Sequence, residues 1–346
     1  MQTSESFRAA RLLLAALIMA MVVWPTADAA EALKIATLAP EGSSWVQALR
    51  DIDAEVRERT DGAMGLRIYP GGVQGDEDVM LRKIRIGQLQ GGGFVGLGAS
   101  QVLPEVLALE MPFLFQGYDE VEYVLEQTGP FFAAGYEDAG YTHLGWADAG
   151  FVYLLSRQPV ASREAIAGMK VWRLQGEPIT EVLFAKAGVT STTLAIPDVL
   201  LGLQTNLVEV VYASPAAAIV LQWFTRARYF TDLPVNYVVG SLLLDSRAFQ
   251  RLPVDHQVTL REAAARHLAA QRRRSRADNA EALAVLEQQG LVRVTPTAEA
   301  VAEFKELVRL CEPELVGKAF TSEAYGLVLQ RLEEYRQGAR AHGVDP

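Results

Sequence analysis

Trp172 and Arg173 stand side by side in the stretch Gly168-Met169-Lys170-Val171-Trp172-Arg173, just before Gly176-Glu177-Pro178. One offers a planar apolar surface for stacking. The other offers a guanidinium that can hold a carboxylate through two parallel N–H bonds. The stretch reads as a short strand, so the two side chains point to opposite faces. Which of them meets a ligand decides what the protein holds. Other chemistry is thin. Gly91-Gly92-Gly93-Phe94-Val95-Gly96 has the letters of a dinucleotide-binding turn, but it follows a helical pattern and overlaps a strand, the wrong context for that function. There is no G-x-x-x-x-G-K-[ST] phosphate loop and no G-x-S-x-G nucleophile elbow. His143, His256, His267 and His342 lack metal-ligand spacing. Neither a metal nor a cofactor is expected, nor enzymatic activity.

The bulk properties narrow the partners. The chain has 346 residues, half of them hydrophobic, with a formal net charge of −10. Nucleic acid and anionic membrane surfaces require a basic footprint, so neither is expected as a partner. The run Arg272-Arg273-Arg274-Ser275-Arg276 reads as a solvated helix face. Cys311 is the single cysteine, which precludes an intrachain disulfide; its helical surroundings mark it as a buried, inert thiol. At the N-terminus, Arg8 and Arg11 precede the uncharged run 12–24, then Pro25 and the small-residue site Ala27-Asp28-Ala29. This is the pattern of a cleaved signal peptide over 1–29. The apolar run is too short to span a bilayer. The mature protein is expected in the periplasm.

The elements that would position a site follow from periodicity and punctuation. Strands are predicted over 33–37, 64–69 and 92–95. Between them lie a helix from the capping-box letters Ser44-Trp45-Val46-Gln47, with apolar face Trp45, Leu49, Ile52 and Val56, and a short helix capped by Asp76. This β-α-β-α-β order implies parallel strands. A helix over 119–125 and two strands, 142–146 and 151–156, come next. A second α/β run has helices near 179–187 and 197–204, a strand over 207–212, and a helix opened by Ser214-Pro215. Asn206 fits the left-handed residue at a helix end. From Asp255 to about Gln289 one long helix is predicted, over about 40 Å long and able to brace two lobes.

Several stretches resemble the solute-binding subunit of tripartite ATP-independent periplasmic (TRAP) transporters, the DctP-like family. They are Leu38-Ala39-Pro40-Glu41-Gly42-Ser43-Ser44-Trp45, Tyr69-Pro70-Gly71-Gly72-Val73-Gln74-Gly75-Asp76, Met111-Pro112-Phe113-Leu114-Phe115, Gly168-Met169-Lys170-Val171 and Leu203-Gln204-Thr205-Asn206. They occur in order across essentially the whole mature chain. The resemblance implies a two-lobe α/β fold of periplasmic-binding-protein type with a long helix across both lobes, closing on one small organic molecule. It also implies docking to the integral membrane subunits of an ion-driven transporter. Lobe I is expected over 30–155 with a return segment near 237–270, lobe II over 156–236 with the C-terminal helical part near 271–346, and the protein as a monomer. Two other classes remain: an exported α/β enzyme, which turnover would reveal, and a ligand-sensing partner of a membrane receptor, which adjacent genes for transporter subunits would argue against.

In parallel α/β lobes, ligands sit beyond the carboxyl ends of strands, at helix starts. This selects Trp45, Gln74, Phe94, Tyr212 and Ser214, with Trp223 two turns further on. The resemblance implies an arginine at the end of the Gly-x-Lys-x strand. Counting from Gly168, that position holds Trp172, and alternation sends Arg173 to the other face; a slip of one residue reverses the two. Where a second arginine often helps, on the crossing strand, this chain has Phe151, Val152 and Tyr153. The expected ligand is therefore more apolar than a dicarboxylate or sugar acid, held by stacking and hydrogen bonds, with Arg173 binding an ordinary organic anion as the alternative.

Overall fold

Strand β1 (Glu31–Thr37), helix α1 (Ser44–Arg59), strand β2 (Met64–Tyr69), helix α2 (Glu77–Arg85) and strand β3 (Gly91–Val95) form the first half of lobe I. A computed structural model of the chain describes residues 31–341; the stretch read as a signal peptide lies outside them. Both strand pairs, β1 with β2 and β1 with β3, are parallel. Helix α1 buries Trp45, Leu49, Ile52 and Val56, the face its spacing predicts. Its cap is Ser43 rather than Ser44: the Ser43 hydroxyl accepts from the Val46 N–H, and Gln47 turns to Asp51 instead of reaching back to the cap. Asp76 caps α2 by accepting from the Val79 N–H at 2.9 Å.

A short helix α3 (Gly96–Ser100) and helix α4 (Tyr118–Asp138) follow. Helix α4 runs far past the predicted end at 125 and contains Pro130. Proline removes one helical hydrogen bond, freeing the carbonyl four residues earlier. Here both Pro130 and Glu126 are exposed, so water can satisfy that group. The two strands expected over 142–156 are one, β4 (Tyr141–Ser156). Its register with the antiparallel neighbour shifts between His143 and Gly145 and between Asp148 and Gly150. The glycines that look like breakers occupy bulges; Gly150 has φ +100°, a conformation other residues rarely adopt.

Lobe II contains α5 (Arg163–Ala167), β5 (Val171–Arg173), α6 (Pro178–Ala187), β6 (Ser191–Thr193), α7 (Val199–Gln204), β7 (Val210–Ala213), α8 (Pro215–Val220) and β8 (Tyr229–Thr231). Strand β9 (Asn236–Asp245) returns to lobe I and leads through α9 (Ser246–Gln250) into α10 (Val254–Gln288), the long helix. Strand β10 (Val292–Val294) pairs with β8, α11 (Ala298–Leu315) packs on α6, and α12 (Ser322–Ala341) packs on α4. The strand order is β2-β1-β3-β9-β4-β7-β5-β6. Strand β4 is shared: residues 141–152 pair with β9 in lobe I, and 153–156 pair with β7 in lobe II.

Helix α10 is amphipathic in an uncommon way. Leu260, Ala264 and Leu268 pack on lobe I, and Leu286 packs on lobe II. Between them runs a buried polar stripe, Gln271, Ser275 and Asn279, at spacing i, i+4, i+8. The stripe faces the second bulge of β4. Gln271 accepts from the Asp148 N–H at 2.9 Å and donates to the Asp148 carbonyl at 3.0 Å. Ser275 donates to the same carbonyl at 3.0 Å, and Asn279 donates to the Ala149 carbonyl at 3.2 Å. The run 272–276 departs from the expected solvated face at three positions, the buried Ser275 and two of its arginines. Arg276 binds the buried Asp148 carboxylate at 3.0 Å and lies over the Tyr118 ring, and Arg272 pairs with Glu122 at 2.7 Å. Only Arg273 and Arg274 are exposed.

Gln271→Leu leaves the Asp148 N–H without its partner inside the protein. The expected loss is about 1–3 kcal/mol in chemical denaturation, the cost of a buried unpaired polar group. Arg273→Ala should change stability by less than about 0.5 kcal/mol.

Candidate ligand-binding site

A cavity of about 470 Å³ lies between the lobes. Lobe I contributes the turn after β1 (Leu38 to Trp45), the end of β3 (Gly93, Val95) and Glu77. Lobe II contributes Ile196 and the start of α8, from Ser214 to Leu221. Asp148 and Ala149 of the crossing strand and Gln271, Ser275, Asp278, Glu281, Ala282 and Val285 of α10 form the back. The carboxyl ends of parallel strands thus face a helix start across the gap. A smaller, apolar cavity of about 100 Å³ lies between α6, α11 and the Phe113 turn, with the Tyr212–Glu177 hydrogen bond (2.8 Å) in its wall.

The glycine-rich stretch after α2 makes room for large neighbours. A Cβ on Gly93 or on Gly240, which stand on the same face of neighbouring strands, would strike the Trp45 indole; one on Gly96 or Gly98 would strike the Glu110 or Glu77 carboxyl. Glu77 accepts from the Val95 N–H at 2.8 Å, and Glu110 from the Val239 N–H at 2.9 Å. These acids hold the β3–α3 corner and join it to β9. Burial dominates their titration. It pushes Glu77 up to about 8 and Glu110 well above the usual carboxylate range, against the opposing backbone N–H groups. Burial also raises Asp148, although Tyr237 and Arg276 bind its carboxylate.

The residues selected from the sequence occupy different positions. Trp45 and Ser214 line the larger cavity from opposite lobes. Tyr212 lines the smaller one. Trp172, 3% exposed, sits in the lobe II core, stacked near Tyr212 (4.7 Å) and edge-on to the equally buried Trp223 (5.2 Å), with its indole N–H donating to the Leu194 carbonyl. Arg173 points to the other face, as alternation requires, and pairs with Glu181 at 3.0 Å. Neither residue of this pair lines the larger cavity. Gln74 is engaged by Lys83 at 2.8 Å, Phe94 is fully buried in lobe I, and Tyr153 is half-buried where β4 passes between lobes. Sequence reasoning missed the α10 contribution. Its signal is the i, i+4, i+8 polar stripe within an otherwise alanine- and leucine-rich helix.

Two α/β lobes, joined by crossing strands and a long helix around a cavity at strand ends, define a solute-binding protein of the two-lobe type. Residues 35–312 match the family described as bacterial extracellular solute-binding protein, family 7 (DctP), and the chain belongs to it. A solute-binding protein from Sulfitobacter sp. strain NAS-14.1 is 24% identical over 259 residues, covering 74% of this chain and 78% of its own length. Among solved structures, a TRAP periplasmic solute-binding protein from Xanthobacter autotrophicus Py2 with bound β-D-galacturonate superposes with a TM-score of 0.81 at 19% identity, covering 87% of this chain and 99% of that one. One from Sulfurospirillum deleyianum with bound succinate gives 0.80 at 18% identity, over 87% and 98%. At such identities the likeness establishes the fold.

Two outcomes test the roles given to these side chains. Trp172→Ala empties a core position and should cost about 3–5 kcal/mol in denaturant unfolding, whatever ligand is present. Glu77 titrates higher in the folded state than in the unfolded one, where its value is near 4.5. Folding therefore favours its protonated form. That contribution is complete below pH 4.5 and is lost as pH rises towards about 8. Glu77→Gln, which keeps the acceptor for Val95, should melt like the parent at pH 5 and above it at pH 8. A variant that melts lower at pH 8 would refute this.

Proposed function

We propose that this chain is the ligand-capturing subunit of a TRAP transporter, exported to the periplasm, where it works as a monomer and delivers a small organic molecule to integral membrane subunits. The observation that carries the reading is the interlobe cavity, walled by strand ends of one lobe and a helix start of the other. Family membership supports it, as does the naming of relatives as solute-binding proteins rather than enzymes. The ligand is more apolar than the galacturonate and succinate held by the two solved relatives. Leu38, Ile196, Ile219, Val220, Leu221 and Val285 are among the residues that line it, and among the described residues no lysine or arginine does. Trp45 and Ser214 contact the ligand, and the lobes close on it as near-rigid bodies by bending where β4 and β9 cross.

Native mass spectrometry of protein purified from its own periplasm should reveal one co-purifying small molecule. Removing and restoring it should alter small-angle scattering, with a smaller radius in the loaded protein, and should alter tryptophan emission through Trp45. A radius unchanged at full occupancy would remove the closure reading.

A further inference from the structure

We propose that the smaller cavity, between α6, α11 and the Phe113 turn, is a second ligand site, separate from the interlobe cavity. Its occupant is a small aliphatic monocarboxylate, with the carboxylate on Arg163 and the tail among apolar side chains.

Arg163 lines this cavity from the first residue of α5. It is half-buried, and among the described residues its guanidinium makes no hydrogen bond or ion pair. It acts on the exposed Glu164 beside it in the chain without bonding to it. Other arginines near the lobe boundary are committed: Arg173 to Glu181, Arg272 to Glu122 and Arg276 to Asp148. A guanidinium left open at an apolar wall suits a carboxylate, which it can hold by two parallel N–H bonds.

The rest of the wall fits a short hydrocarbon tail. Leu154, Ile166, Ile179, Leu183, Phe184 and Leu307 line it. Its polar residues besides Arg163 are Glu177, Thr180, Tyr212 and Asn236. Three of these satisfy one another, because Tyr212 and Thr180 both donate to the Glu177 carboxyl at 2.8 Å. Burial pushes that carboxyl up, which favours its neutral form. Glu177 also stands away from the Arg163 end. Ile166, one turn along α5, packs with Phe184, and Glu177 precedes Phe184 by seven residues, about 10 Å along the axis of α6. An apolar cavity of roughly 150 Å³ takes up benzene, so this one, at about 100 Å³, limits the tail to about four carbons.

Phe113 adds an independent sign. It has φ +57°, in the left-handed region that a bulky residue rarely adopts. Its N–H donates to the Val235 carbonyl at 2.9 Å, and both residues line the cavity. Such conformations gather where a ligand is clamped. The cavity also spans two cores. Ile179 belongs to the lobe I cluster, Ile166 and Phe184 to one in lobe II, and Leu183 packs on both. An occupant therefore touches both lobes at their joint.

Pentanoate, pentanamide and acetate, titrated by ligand-observed NMR into solute-free protein at about pH 7, test this. Pentanoate should bind about tenfold more tightly than pentanamide, the difference a charge-assisted bond makes. Acetate should bind about fourfold more weakly for each methylene it lacks. Arg163→Gln should weaken pentanoate about tenfold and leave pentanamide within about twofold, a split that a general loss of structure would not produce. Leu183→Trp, which fills the cavity, should abolish binding of both. Val220→Trp, which narrows the interlobe cavity from its half-exposed wall, should leave both unchanged. Thermal melts check that each variant folds; should Leu183→Trp fail to fold, the Arg163→Gln split still decides. Pentanoate indifferent to Arg163→Gln, or lost in Val220→Trp and kept in Leu183→Trp, would overturn the inference and leave the capture site standing. So would the absence of pentanoate binding at millimolar concentration.

Discussion

Where a chain crosses between two lobes, its peptide groups leave the regular ladder yet cannot be left unpaired. Here the crossing strand bulges at Asp148–Gly150, and α10 supplies the missing partners through Gln271, Ser275 and Asn279. Much else depends on this arrangement. It fixes the long helix against the sheet, places Asp278 and Glu281 at the cavity, and forces Arg276 inward to neutralise Asp148. Tyr237 of the second crossing strand donates to the other oxygen of that carboxylate. One buried acid thus joins both crossings and the helix.

Lobe I has a related economy. The glycines at 93, 96, 98 and 240 leave room for an indole and two carboxyl groups in a corner between two strands and a short helix. The acids then tie backbone N–H groups that the corner leaves outside the ladder. Both carboxyl groups are favoured as neutral acids, so the corner is polar in hydrogen bonding but nearly uncharged. This separates the cavity's polarity from its charge.

Much of this is legible in the sequence. The buried face of α1, the Asp76 cap, the left-handed Asn206 (φ +59°), the Pro215 helix start and the extent of α10 all follow from local spacing and punctuation. So does the opposition of Trp172 and Arg173. Local rules fail where the partner is distant. Gly145 and Gly150 look like strand ends because the neighbour that turns them into bulges, β9, lies some ninety residues on. Arg272 and Arg276 look solvated because Glu122 and Asp148 are 150 and 128 residues away in the chain. Alternation sends Trp172 and Arg173 apart, but it does not say that one face is lobe II core and the other a surface ion pair. That depends on Trp223 and Glu181.

Asn279 also accepts from the Ala216 N–H at the start of α8, at 3.1 Å. One side chain therefore fastens α10 to the lobe II helix that walls the cavity, while Arg266 and His267 fasten the same helix to Glu55 of lobe I. A rod clamped at both ends is no free pivot. Any rotation of one lobe against the other must flex the rod or tear a clamp. If the lobes close on a ligand as proposed, the helix would act as a leaf spring, and the affinity would be the contact energy less the elastic energy stored. Softening the spring would tighten binding without touching a single ligand contact.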